Sequence, residues 1–163
     1  MLVDSHCHLD RLDLSAHDGS LDAALDAARL RGVGHFLCIG VSADNAADVK
    51  ALTERYADVD CSVGVHPLDV QPGAAPALDW LLGELNHPRV VAIGETGLDY
   101  HYEPEAADLQ QLSFRVHLEA AQQTGKPVVI HTRGARADTL AMLREAPRVW
   151  ITTGLPVCCA ASR

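Results

Sequence analysis

The chain has 163 residues, 48% of them apolar, with 13 basic and 22 acidic side chains and a net charge of −9. That length sets one domain able to bury about 70% of its unfolded surface, and 21% charged residues with 12 Gly and 8 Pro exclude a disordered chain. The acidic balance opposes non-specific adhesion to nucleic acid, which relies on Lys and Arg displacing counterions, and no apolar run approaches the ~20 residues of a membrane span.

In chain order, the hydrophobic pattern and its breakers predict alternating strands and helices. Residues 2–7 read as a short strand ending in polar residues, and 19–31 as a helix with Leu21, Ala24, Leu25 and Ala28 on one face. The glycine-bounded run 33–40 reads as a strand covered on both faces. A helix over 42–57 follows, with Ser42 as its N-cap, then a strand over 61–66 stopped by Pro67. Residues 78–85 predict a helix, 90–94 a strand, 105–124 the longest helix, 127–131 a fifth strand and 135–145 its helix. A sixth strand is expected at 149–153. Strict alternation implies a parallel sheet with right-handed crossovers. The start, Met-Leu-Val-Asp-Ser-His, lacks a basic secretory region, so a cytoplasmic location is expected. The five cysteines (7, 38, 61, 158, 159) fit no disulfide framework and should be reduced, with Cys158–Cys159 an ordinary tail pair.

The unusual polar residues fall at carboxyl ends of predicted strands: His6 and His8 on the first, His66 on the third, Glu95 on the fourth, His131 and Arg133 on the fifth. In a parallel α/β fold these ends share the face where ligands assemble. Strand residues two apart point to the same side, so His6 and His8 can reach one metal ion; otherwise they are two surface histidines. Asp4, expected to be buried on the same face, could orient one imidazole. Glu95 could bridge two cations or be a solvated loop acid, and His131 suits a second metal. Arg133 offers a fork to a phosphate, or a helix cap. His66 could be a ligand or a hydrogen-bond donor to substrate, with the donor role favoured. His101, between Tyr100 and Tyr102, could shape a groove, while His17, His35, His87 and His117 read as structural or exposed and Cys7 as core. No nucleophile elbow, Walker A loop, dinucleotide fingerprint or Cys-x-x-Cys pair is present.

Taken together, LVDSHCHLD (2–10), GVHP (64–67), IGETGLDYHY (93–102) and PVVIHTRGARADTL (127–140) resemble the TatD family of metal-dependent deoxyribonucleases, collinearly from Leu2 to about Arg144. The resemblance implies an α/β fold, the N-terminal part of a (β/α)8 TIM barrel with about five to six β-α units. It also implies two divalent metal ions (Zn, Mg, Mn or Ni), with His6 and His8 on the first, Glu95 bridging as the catalytic carboxylate and His131 on the second. His66 and Arg133 would then bind substrate near its phosphate. A metal pair of this kind lowers the pKa of a shared water and clamps phosphate oxygens, so the expected substrate is DNA. Tyr100 or Tyr102 would stack on it. The alternatives are a metal-dependent amide or ester hydrolase, such as an aminoacyl-ester deacylase, and an inactive metal-binding fragment.

The family pattern continues with another metal-binding histidine and an essential aspartate. Here no histidine follows His131 and no aspartate follows Asp138, and residues 149–163 carry a single charge. The expected division is therefore a partial barrel over 1–148 and an atypical, truncated or frame-shifted tail over 149–163. Whereas the full-length family is expected to be monomeric, an unclosed sheet exposes an apolar edge that favours self-association. Nuclease activity of the 163-residue chain alone is expected to be weak or absent.

Overall fold

The computed structural model describes residues 2–70, 75–146, 149 and 151–153. Six parallel strands, β1 (Leu2–Cys7), β2 (Val33–Ile39), β3 (Val59–Val63), β4 (Val90–Asp99), β5 (Val128–Arg133) and β6 (Ile151–Thr153), lie side by side in sequence order. Between them run α1 (Leu21–Leu30), α2 (Ala46–Arg55), α3 (Leu78–Leu85), α4 (Ala107–Thr124) and α5 (Arg136–Glu145). This is a half-barrel: the strands are parallel, as the alternation implied, and form the partial barrel that the family resemblance implied. Cys158, Cys159 and the rest of the tail beyond Thr153 lie outside the described residues.

Strand periodicity gives the sheet two unequal faces. Phe36, Cys38, Val59, Cys61 and Val63 join Leu25 of α1, Val49 of α2, Leu81 of α3, Phe114 of α4 and Met142 of α5 in one apolar layer, so all five helices cover the same face. The opposite face holds a small cluster of Ile39, Ala92 and Val129. Burial pushes the thiols of Cys38 and Cys61 up to about 11 and about 12, leaving them inert packing groups. Leu2 and Val3 of β1, at one edge of the sheet, are 62% and 54% exposed. Among the described residues, no helix is long and apolar enough to cross a membrane.

Several boundaries differ from the sequence reading for local reasons. Helix α2 starts at Ala46, not Ser42, because Ser42 and Asn45 build a turn first: Asn45 Oδ1 accepts from the N–H groups of Val41 and Ser42 at 3.1 and 3.0 Å, and Ser42 Oγ from that of Asn45 at 3.2 Å. Strand β3 ends at Val63, which leaves His66 in the following loop rather than on the strand. Strand β4 runs five residues past its expected end at Gly94, and β5 two past His131, so both carry polar residues within the strand.

His117 of α4 is fully buried and pins the loop after β3. Its Nδ1 donates to the Ser113 carbonyl at 2.7 Å, and its Nε2 accepts from the Val65 N–H at 3.0 Å. A ring in that role must be neutral, and burial lowers its pKa from 6.5 to about 4. Such a group stabilises the fold above its unfolded value and loses that contribution as pH falls from 6.5 toward 4. The contribution is about 3 kcal/mol. In urea unfolding at pH 7.5 and pH 4.5, the stability advantage of the wild type over His117→Gln should shrink by about 2–3 kcal/mol at the lower pH. An unchanged difference would show that the ring is not held neutral.

Candidate metal centre

Glu95 occupies the middle of the site because two backbones touch beneath it. A Cβ on Gly64 would lie 2.4 Å from Gly94 Cα, and one on Gly94 would lie 2.5 Å from the Val129 carbonyl oxygen, where only glycine fits. The β4–β5 register slips between Ile93 and Thr96, the Gly94–Glu95 peptide is cis, and the Glu95 N–H is tied to the Gly40 carbonyl at 2.6 Å. The carboxylate, 7% exposed, faces His6 Nε2 at 3.4 Å through one oxygen and His131 Nδ1 at 3.6 Å through the other. Strand ends separated by most of the sheet thus converge on one acid.

Two groups of ligand atoms share Glu95. His6, His8 and Glu95 form one, and His66, Glu95 and His131 the other, with the atoms in each lying within 4.8 Å of one another. The His8 Nδ1 lies 3.1 Å from the Ile39 carbonyl, which can only accept, so Nδ1 carries the proton and Nε2 keeps a lone pair. His66 is arranged the opposite way. Its Nδ1 accepts from the Leu68 N–H at 3.2 Å, so the proton of the neutral ring sits on Nε2 as a donor. Burial lowers the His66 pKa and outweighs the pull of Glu95. For Glu95, burial acts upward, but the facing imidazoles of His131 and His6 win and hold the carboxyl well below the usual range. The Glu95 carboxylate beside it raises the pKa of His131 despite its burial, with Asp99 adding to it.

Divalent cations fit these residues. Two ligand atoms about 2.1 Å from a tetrahedral ion stand about 3.4 Å apart, the spacing at which His6 and His131 flank Glu95. His6 Nδ1 is buried with no hydrogen-bond partner among the described residues. Imidazole nitrogens with carboxylate oxygens form a donor set suited to Zn, Mn or Ni.

Beside the cluster, Arg133 is exposed and donates through Nη1 to Tyr102 Oη at 2.9 Å, with its guanidinium carbon 4.4 Å from the ring centroid. His101 packs edge-on against Tyr102 at 4.7 Å. Tyr100 is committed elsewhere, its hydroxyl donating to Asp138 at 2.9 Å and accepting from Gln111 at 2.7 Å, whereas Tyr102 is exposed. A cavity of about 670 Å³ opens next to His8, His66, Asp69 and Glu95. Asp4 differs from expectation: it is half-buried and accepts from the backbone N–H of His6 at 3.3 Å instead of holding an imidazole. The carboxylate that does hold one is Asp99, whose Oδ2 lies 2.9 Å from His131 Nε2. Reading β4 as ending at Gly94 hid it, although its two-residue spacing from Glu95 through Gly97 was the available signal.

A parallel half-barrel with a histidine–carboxylate cluster at the carboxyl ends of its strands defines a metallohydrolase-type α/β scaffold. Residues 3–155 match the family model described as TatD related DNase, and the chain belongs to that family. It is 43% identical over 145 residues to the uncharacterized metal-dependent hydrolase YcfH of Escherichia coli K12, covering 88% of this chain and 54% of that protein. It is 32% identical over 149 residues to the uncharacterized metal-dependent hydrolase TatD of Mycobacterium tuberculosis, covering 88% and 56%. The crystal structure of YjjV, a TatD homolog from Escherichia coli K12, superposes with a TM-score of 0.78 at 30% identity, over 90% of this chain and 57% of that one. The chain spans about half the length of the curated relatives it matches.

Because the Gly64–Gly94 contact sets the position of Glu95, Gly64→Ala should destabilise the fold by about 1–3 kcal/mol through overpacking. It should also weaken divalent-metal binding in calorimetric titration. Unaltered stability and affinity would show that the contact is slack.

Proposed function

We propose that this chain carries the metal-binding half of a hydrolase site that cleaves phosphodiester bonds in DNA. The observation that carries the reading is Glu95 placed between two imidazoles, with an exposed arginine–tyrosine pair at the next strand end. In this reading His6 and His8 hold one divalent cation, His131 holds a second, and Glu95 bridges them. When bound, such a pair activates water and offsets charge on phosphate oxygens. His66, with its Nε2 proton, donates to a substrate oxygen. Arg133 offers its remaining N–H groups to a non-bridging phosphate oxygen, and Tyr102 presents an aromatic face to a base.

The DNA reading is supported by the family description and by the cation next to an aromatic face, which an amide substrate would not require.

Cleavage of a single-stranded oligonucleotide, followed with manganese, zinc or chelator added, tests the proposal. Turnover should require metal and be lost in Glu95→Gln, and Arg133→Ala should raise KM by about 10-fold or more, as expected for a lost charge-assisted hydrogen bond of about 1.5–3 kcal/mol. Chelator-resistant cleavage, or faster hydrolysis of an aminoacyl ester than of DNA, would contradict it.

A further inference from the structure

We propose that Asp99 is the positioning residue of this centre: one carboxylate oxygen fixes the tautomer of His131, and the other fixes the turn that sets Tyr102 against Arg133. The proposal rests on the metal-dependent reading above and adds to it a residue that does not itself belong to either candidate ligand group.

The carboxylate is fully buried and both oxygens are used. Oδ2 lies 2.9 Å from His131 Nε2, and Oδ1 accepts from the N–H groups of His101 and Tyr102 at 3.0 Å each. Its backbone is clamped from α4 by Gln110, also fully buried. Gln110 Oε1 accepts from the Asp99 N–H at 2.8 Å, while its Nε2 donates to the carbonyls of Asp99 and Glu103 at 3.2 and 3.3 Å. An ionised carboxylate has only lone pairs to offer, so His131 Nε2 must carry a proton. In the neutral ring Nδ1 is then bare, and Nδ1 is the nitrogen 3.6 Å from Glu95. Asp99 therefore stands behind His131, on the ring nitrogen away from Glu95, as an outer partner that orients a ligand. The same side chain holds the turn whose Tyr102 hydroxyl accepts from Arg133 at 2.9 Å.

Asp99→Asn separates the two roles. The amide oxygen can still accept the turn N–H groups, but its NH2 meets His131 Nε2, which must become an acceptor, and the ring proton moves to Nδ1 where it blocks coordination. Asp99→Ala removes both roles.

Long-range 1H–15N NMR of the metal-free wild type, at a pH where the His131 ring is neutral by its own titration, should show the proton on Nε2, and in Asp99→Asn on Nδ1. Zinc affinity by calorimetry should fall about 10–100-fold in Asp99→Asn. Amide exchange at His101 and Tyr102 should stay slow in that variant and become fast in Asp99→Ala. A wild-type proton on Nδ1, or Asp99→Asn binding zinc as the wild type does, would overturn the assignment while leaving the metal reading intact. Should the wild type take up no zinc, the metal reading fails, and the NMR tautomer and the amide exchange still decide what Asp99 does.

Discussion

The close approach of Gly64 to Gly94 is the constraint on which the site depends. No side chain separates these two backbones, so the loop after β3 meets the middle of β4, and the residue after Gly94 enters the concave side of the sheet. That residue is Glu95, an acid in a position where burial alone would favour the neutral form. It stays ionised because imidazoles reach it from two directions. Without such partners a carboxylate this buried would be a net cost to the fold, so site and backbone geometry stabilise each other.

The uneven division of apolar residues between the two faces of the sheet leaves room for this arrangement. Helix packing uses outer positions of β1 to β5, and among the described residues the apolar cluster of the inner face is Ile39, Ala92 and Val129 together with partly buried Leu37. Polar groups at the strand ends therefore meet around open space rather than a packed interior. Their orientation is fixed from behind: the Ile39 carbonyl holds His8, Asp99 holds His131, and His117 holds the backbone next to His66. The histidines of the cluster and Arg133 are half-buried or exposed, whereas Glu95 is buried and Asp99 and His117 are fully buried.

Much of this was legible in the sequence because it is periodic. Alternating apolar runs marked every strand and helix, and His6, His8, Glu95, His131 and Arg133 stood out as polar residues where strands end. What could not be read depended on contacts between distant residues. His117 looks like an ordinary helix residue until α4 is seen to reach the loop after β3, 52 residues away along the chain. Asp99 fell beyond the predicted strand because the glycines around Glu95 mimic a strand end, whereas the structure shows the strand continuing through them. Asp4 misled for the converse reason: its alternation with His6 was real, but its carboxylate turns to the backbone of its neighbour. Alternation indicates which side a residue occupies. Hydrogen-bond partners are set by tertiary packing.

In the proposed function, Glu95 joins two metal sites built from strand-end histidines. Crystals soaked in zinc or manganese and measured at the absorption edge of the metal test it most directly. Two anomalous peaks should flank the Glu95 carboxylate, one against His6 and His8 and the other against His131. A lone peak away from Glu95, or none under conditions that saturate the protein, would contradict it.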